Sequence, residues 1–227
     1  MKAGGATLFR GGAYKPRTSP YSFQGLETEG ILDMVKAREA TGMPIVSELM
    51  SEDRIPEFEE YVDVVQIGAR NMQNFQLLKA VGKMHKPVLL KRGLCNTIEE
   101  WIMSAEYIMA GGNEQVITVR ARHPHLREVH PQHSRSLCSA RSSTKRPTCP
   151  SSWIPATPPA RPIWSSLMMI AAVVAGADGL EVEVHYDPQH AWSDGAQCLT
   201  PDPSRRPWQS AVRWHGPLAG ICNGLCW

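Results

Sequence analysis

Short apolar segments alternate with amphipathic segments over the first half of the chain, from Ala6 to about Thr118. Four segments are apolar nearly throughout, as strands buried on both faces are: ATLFR, MPIVSEL, VDVVQIG and KPVLLKRG. Equivalent positions on successive strands, such as Val46, Ile67 and Leu90, lie a little over twenty residues apart. This spacing suits one strand, one helix and two tight loops, so the pattern predicts repeated β-α units around a parallel sheet.

Four helices are predicted, three between these strands and one after the last of them. The clearest begins at Thr97, because Thr97 and Glu100 have the spacing of a capping box and apolar side chains then recur at intervals of three and four. Residues 27–41, 52–61 and 71–82 follow the same pattern with weaker caps. No glycine-rich dinucleotide loop follows any strand, which favours an α/β fold of the (β/α)8 TIM-barrel type over an open doubly wound sheet.

The pattern fails between Val119 and Ser166. This segment has eight prolines, and eight Lys or Arg against a single Glu128, so it cannot bury a continuous face. A helix and a strand are predicted again from Leu167, in LMMIAAVVAGADGLEVEVH. We therefore expect one partial barrel domain over residues 1–202, with residues 119–166 non-native or disordered. Residues 203–227 are predicted to be an irregular tail.

Composition excludes several classes of protein. The formal net charge of +2 is too small to indicate nucleic acid as the natural partner. The longest apolar run, Leu167 to Ala177, is about half of what a membrane span requires. The six cysteines show no C-x-x-C spacing and the first residues lack the apolar core of a signal peptide. These features predict a cytoplasmic protein with no membrane partner.

Charged side chains lie where the predicted strands end. In a parallel barrel the functional side chains lie at the carboxyl ends of the strands, and here those positions are Arg10, Glu48, Arg70, Lys91 and Glu183. Lys15 and Arg17 in the first loop would bring the cations at this mouth to five. Such a cluster predicts a site for phosphorylated and carboxylated substrates. The alternative is that each of these residues is an ordinary solvated loop charge.

Several of these segments resemble one enzyme family. The segments are GGAYKPRTSPYSFQG, QIGARNMQNF, PVLLKRG, EEWIMSAEYIMAGGNEQVI and AGADGLEVEVHYDPQHAWSDGAQ. They are similar to the type I, β-subgroup 3-deoxy-D-arabino-heptulosonate 7-phosphate (DAHP) synthases, over residues 3 to about 118 and 167 to 201. The Lys-Pro-Arg-Thr string favours these enzymes over the sister family that makes the eight-carbon sugar phosphate.

The resemblance implies a TIM-barrel transferase that catalyses the first step of the shikimate pathway. Its substrates would be phosphoenolpyruvate and D-erythrose 4-phosphate, its products DAHP and phosphate, and the intact family member would be a homo-oligomer. Carried over by motif, the phosphoenolpyruvate ligands are Arg10, Lys15, Arg70 and Lys91. The residues implied for erythrose 4-phosphate are Lys15, Arg17, Thr18 and Ser19.

The resemblance also implies a divalent metal ion of the Mn, Fe, Co or Zn type. Glu183 and Asp194 correspond to two of the four family ligands. The family cysteine belongs to a first strand that precedes the start of this chain, and WIPATPPARP stands where an Asp-Pro-Ser-His segment would supply the histidine. His185 is expected to line the site rather than bind the ion. We therefore expect that this chain does not hold the metal, and that its barrel lacks the first strand and has a scrambled seventh.

The genetic code offers an explanation for the irregular segment. RARHPHLRE can be encoded so that the reading frame one base on gives Glu-Arg-Gly-Ile-Arg, the phosphate-binding string of the family. SSWIPATPP can likewise be encoded so that the reading frame two bases on gives Asp-Pro-Ser-His, the missing ligand segment. We hypothesise a frameshifted translation over about 119–166, and a second one over 203–227. The coding DNA tests both, because its codons must permit these alternative readings.

Three interpretations of function follow. The first is a DAHP synthase by descent, and the second is a catalytically dead remnant of that enzyme. The third is a basic disordered arm, within residues 119–166, that binds RNA or acidic partners. Because two metal ligands are absent from the sequence, we predict no measurable DAHP formation by this chain.

Overall fold

The computed structural model describes residues 2, 5–17, 19–121, 151–154, 169, 172, 177–193, 195, 198–201 and 219–224. Eight parallel strands follow one another around a closed sheet. They are β1 (Leu8–Gly11), β2 (Ile45–Glu48), β3 (Val64–Ile67), β4 (Val88–Lys91), β5 (Val116–Ala121), β6 (Ser151–Ile154), β7 (Gly179–Val184) and β8 (Ala219–Gly224). The predicted α/β class with a parallel sheet is confirmed.

Four α-helices lie between the first five strands: α1 (Glu27–Thr41), α2 (Ile55–Tyr61), α3 (Phe75–Val81) and α4 (Ile98–Met109). The predicted capping box at α4 is confirmed, since the Thr97 hydroxyl accepts from Glu100 N and the Glu100 carboxylate accepts from Thr97 N. Helix α2 is shorter than predicted because residues Glu52–Arg54 form a single 3-10 turn before it. Helix α3 begins later for a similar reason, after the 3-10 turn Ala69–Asn71.

The closure of the sheet differs from the expected incomplete barrel. Strand β8 pairs with β7 on one side and with β1 on the other, with Arg10 opposite Asn223. Strand β6 fills the position between β5 and β7. Both strands come from segments that the sequence pattern marks as irregular. The physical reason is that ladder hydrogen bonds join backbone groups, so an exposed sheet edge accepts an extended segment whose side chains lack strand patterning.

Most of segments 119–166 and 203–227 lies outside the described residues, so the proposed domain limits stay predictions. The described parts of these segments, residues 119–121, 151–154 and 219–224, are strands. No helix within the described residues is long and apolar enough to cross a membrane.

Apolar side chains pack on both faces of the sheet. Outside it, the strands and helices share a core that includes Phe9, Ile31, Phe58, Val65 and Leu78, each at most 3% exposed. Inside it, a second layer is formed by the inward side chains Leu8, Val46, Val64, Leu89 and Val119. A strand alternates its side chains between two faces, so the residues two positions further along each strand also point inward, one level closer to the carboxyl ends.

Candidate anion-binding site

A polar layer lies directly above the inner apolar layer. Its members follow the inner-layer residues of β1 to β4 by two positions, and they are Arg10, Glu48, Gln66 and Lys91. Glu48 and Gln66 are buried, whereas the side chains of Arg10 and Lys91 are 16% and 12% exposed. The carboxyl ends of the first four strands thus bring charged and amide groups together inside the barrel. Functional side chains are predicted at this end of a parallel barrel because the carboxyl ends of the strands meet there.

Glu181 on β7 joins the two cations of this layer. Its Oε1 lies 3.0 Å from Lys91 Nζ and 3.4 Å from Arg10 Nε, and its side chain is fully buried. Strands β1 and β4 are three positions apart in the sheet. The Glu181 oxygen therefore joins side chains that come from separate parts of the barrel wall. A single oxygen shared by two cations has the geometry that a carboxylate or phosphate ligand would adopt there.

Glu48 is held in the same layer by its neighbours. Gln66 Nε2 donates to Glu48 Oε2 at 3.0 Å, and Arg10 Nε donates to Gln66 Oε1 at 3.0 Å. Arg10 Nη2 also lies 3.7 Å from Glu48 Oε2. A Cβ on Gly68 would lie 1.8 Å from Glu48 Oε1, so the carboxylate fits only because this position is glycine. These contacts fix the orientation of the Arg10 guanidinium.

The buried setting changes the acid-base behaviour of Lys91. Burial lowers the pKa of its ammonium, because the charged form loses hydration, and the nearby Arg10 charge lowers the pKa further. Glu181 and Glu48 act in the opposite direction. An anion bound at this point would favour the charged form in the same way as these carboxylates.

The loop after β1 brings a third cation to the same end of the barrel. Gly25 adopts a φ of +103°, and a Cβ there would lie 2.0 Å from the Ala13 carbonyl oxygen. This close approach lets the loop fold back, with Lys15 N donating to Gln24 O at 2.9 Å. Lys15 Nζ then donates to Ser193 Oγ, beyond β7, at 2.7 Å. The loops after β1 and β7 therefore meet at the mouth of the barrel.

Comparison with known proteins assigns the family. The sequence profile described as "DAHP synthetase I family" matches residues 1–124, more than half of the chain. The chain belongs to this family. It is 44% identical over 195 residues to a phospho-2-dehydro-3-deoxyheptonate aldolase of Thermotoga maritima, which covers 86% of the chain but 57% of that relative. The chain therefore spans little more than half the length of this relative.

The chain is also similar to a second kind of aldolase and to two solved structures. A 2-dehydro-3-deoxyphosphooctonate aldolase of Koribacter versatilis is 28% identical over 199 residues, covering 81% of the chain and 69% of that protein. A crystal structure of the Thermotoga maritima DAHP synthase has a TM-score of 0.81 at 39% identity, covering 97% of this chain and 64% of that one. A truncated form of 3-deoxy-D-arabino-heptulosonate 7-phosphate synthase from the same organism gives 0.76 at 34% identity, covering 97% and 80%. The resemblance seen in the motifs is confirmed.

The structure brings some of the residues expected from the DAHP synthetase I family together and separates others. Arg10 and Lys91 converge on Glu181, and Lys15 reaches the same mouth. Arg70 is exposed on the 3-10 turn after β3. Arg17 Nε donates to the Phe23 carbonyl at 3.3 Å, and Ser19 is exposed, with its hydroxyl accepting from Tyr21 N at 3.3 Å. Thr18 lies outside the described residues.

The DAHP synthetase I family is generally metal-dependent, and the ligands that this chain offers can be tested against that need. Glu183 follows Glu181 by two positions on β7 and is half-buried, so it presents an oxygen donor toward the barrel mouth. Asp194 lies outside the described residues. His185 is buried and its Nδ1 accepts from Asp187 N at 3.0 Å. Within the described part of the chain no three Cys, His, Asp or Glu side chains gather into a ligand group, so these residues do not fit a complete metal site.

Three residues of the site escaped the sequence analysis. Glu181 could have been found from strand periodicity, because it shares a face with Glu183 two positions later. Gln66 is the one polar residue in VVQI of β3, and a polar side chain inside an apolar strand signals a buried partner. Ser193 carried no such signal, because its contact with Lys15 joins residues 178 positions apart in the sequence.

Proposed function

We propose that the chemistry of this chain is that of a DAHP synthase: an aldol-type condensation of phosphoenolpyruvate with D-erythrose 4-phosphate that gives DAHP and phosphate. One observation carries the proposal. Arg10 and Lys91 surround a single buried carboxylate oxygen of Glu181, at 3.4 and 3.0 Å, at the carboxyl ends of the strands. Two cations arranged around one oxygen suit the carboxylate or phosphate of phosphoenolpyruvate.

Each cation has a role in this proposal. Arg10 and Lys91 bind phosphoenolpyruvate from inside the barrel, and Lys15 and Arg70 support them from the loops at its mouth. The loop after β1 takes the phosphate of erythrose 4-phosphate through Lys15, Arg17, Thr18 and Ser19. Two anionic substrates repel one another, so cations between them lower the cost of bringing the enol carbon next to the aldehyde.

Three further features belong to the same proposal. They are a complete (β/α)8 barrel, a homo-oligomeric assembly and a cytoplasmic location. A divalent ion would polarise the aldehyde when it is bound, and Glu183 and Asp194 are the residues of this chain that would contribute to its site. No step is derived through this ion, because the described residues hold no group of three side chains that could bind it.

A second candidate is a protein that binds phosphoenolpyruvate without turning it over. The observation that favours it is the sequence WIPATPPARP, which stands where the resemblance places the histidine ligand. A site that keeps its cations but loses a metal ligand retains substrate binding and loses Lewis-acid activation of the aldehyde.

One pair of assays separates the candidates. Phosphoenolpyruvate binding is measured by titration calorimetry, and DAHP and phosphate formation are measured with both substrates, with Mn²⁺ and with a chelator. DAHP formation supports the synthase and overturns the prediction, made from the two absent ligands, that this chain forms none. Binding without product supports the second candidate and that prediction. Both candidates are overturned if neither binding nor turnover is observed with folded protein.

A further inference from the structure

Glu181 places one carboxylate oxygen between Arg10 and Lys91. Its Oε1 lies within ionic reach of both cations, and its side chain is fully buried on β7. Glu48 reaches the same layer but is held by Gln66 and lies 3.7 Å from Arg10. Glu181 therefore contacts both cations at once.

The charges of the polar layer explain why this contact matters. Arg10 and Lys91 supply two positive charges, and Glu48 and Glu181 supply two negative charges at close range. An anion entering from the mouth meets cations whose charge is already offset, so it gains little attraction unless one carboxylate moves away. Moving Glu181 leaves a buried carboxylate without these two cations, which opposes binding further.

We propose that Glu181 is an internal carboxylate that occupies the anion subsite between Arg10 and Lys91 and competes with an incoming anion for both cations. This proposal rests on the proposed function in taking these two cations as substrate ligands. It adds that the resting chain carries its own ligand at that position. Glu181 thereby sets the affinity of the site for carboxylate- and phosphate-bearing molecules.

The test compares the affinity of three proteins for inorganic phosphate and for phosphoenolpyruvate, by titration calorimetry in the presence of a chelator. They are the unaltered chain, Glu181→Gln and the control Glu106→Gln, whose carboxylate lies on the exposed side of α4. Glutamine keeps the size and an acceptor oxygen but removes the competing charge. Glu181→Gln is expected to bind both anions about tenfold more tightly or better, with Glu106→Gln unchanged. Equal affinity in all three proteins overturns the proposal.

Glu181→Gln removes a negative charge next to Lys91 and could therefore unfold the protein. If Glu181→Gln is unfolded, phosphate is expected to restore its fold by supplying the missing negative charge, and failure of this rescue overturns the proposal. The double variant Glu181→Gln with Lys91→Gln restores the charge balance, so it is expected to lose the gain in affinity. A gain that persists in the double variant also overturns the proposal.

Failure of this inference can be told apart from failure of the proposed function. Tighter phosphate binding by Glu181→Gln, with no binding of phosphoenolpyruvate by any variant, supports the internal carboxylate and counts against the synthase. DAHP formation by the unaltered chain, with no change in anion affinity in Glu181→Gln, supports the synthase and overturns the internal carboxylate.

Discussion

Residues 5–118 and the described residues after them build the same sheet in different ways. The first region supplies four helices and strands whose side chains form the outer core and all of the inner layer except Val119. Beyond it, the described apolar cluster consists of Met169, Ala172, Ala177, Leu180 and Leu199. Both regions pair strands in parallel register. Backbone hydrogen bonds can therefore close a sheet with many different sequences, whereas packing and chemistry depend on particular side chains.

The largest difference is expected in the energetics of packing. Leu78→Ala on α3 removes a fully buried side chain from the outer core, and the free energy of unfolding should fall by about 3–4 kcal/mol. Leu180→Ala on β7 removes the same atoms from the smaller cluster, where the expected loss is about 2 kcal/mol or less. Urea unfolding followed by circular dichroism measures both. Equal losses would show that the two regions are packed alike.

The next effect concerns the cations that the first region contributes. Lys91→Met removes a charged hydrogen-bond donor and should weaken phosphoenolpyruvate binding by roughly 10- to 100-fold. Lys83→Met is the matched control, because Lys83 is exposed after α3. Calorimetric titration of both variants measures the change. A similar affinity in the two variants would place the anion site away from the inner polar layer.

The periodicity of the sequence predicts some of the strands and not others. Strands β1 to β4 follow from apolar runs, and α4 follows from Thr97, Glu100 and the spacing of three and four. Strands β6 and β8 could not be predicted, because their pairing comes from the open edges of neighbouring strands rather than from their own side-chain pattern.

The site shows a similar division. Arg10 and Lys91 were predictable because the carboxyl ends of parallel strands meet at one end of the barrel. Their shared contact with Glu181 was not, since it joins strands that are far apart in the sequence, and neither motif nor spacing states which inward side chains reach across the interior. Arg70 illustrates the converse, because its motif matches the family while its side chain is exposed on the 3-10 turn after β3.

A smaller loss of stability is expected when the capping box of α4 is removed. Thr97→Ala removes the hydroxyl that accepts from Glu100 N at 3.1 Å, and the free energy of unfolding should fall by about 1 kcal/mol. Gln73→Ala, at an exposed turn position before α3, serves as the control and should change stability little. Thermal unfolding compares the two. An unchanged Thr97→Ala variant would mean that tertiary packing alone sets the start of α4.

The smallest expected effect is a pH dependence of binding. The ammonium of Lys91 is the protonated form and exists below its pKa, and burial lowers that pKa from the ordinary value of about 10.4. Phosphoenolpyruvate affinity should therefore fall as the pH rises from about 7 toward 10, because the ammonium loses its proton. Lys91→Arg keeps its charge over this range and should show a flatter profile. Parallel profiles for the two proteins would exclude Lys91 as the titrating group.

The most direct test of the central claim is a crystal structure of the protein with phosphoenolpyruvate bound. We expect the carboxylate or phosphate of the ligand to contact Lys91 Nζ and the Arg10 guanidinium, with Glu181 displaced from between them. A ligand bound elsewhere, with the contacts between Glu181 and both cations intact, would contradict it.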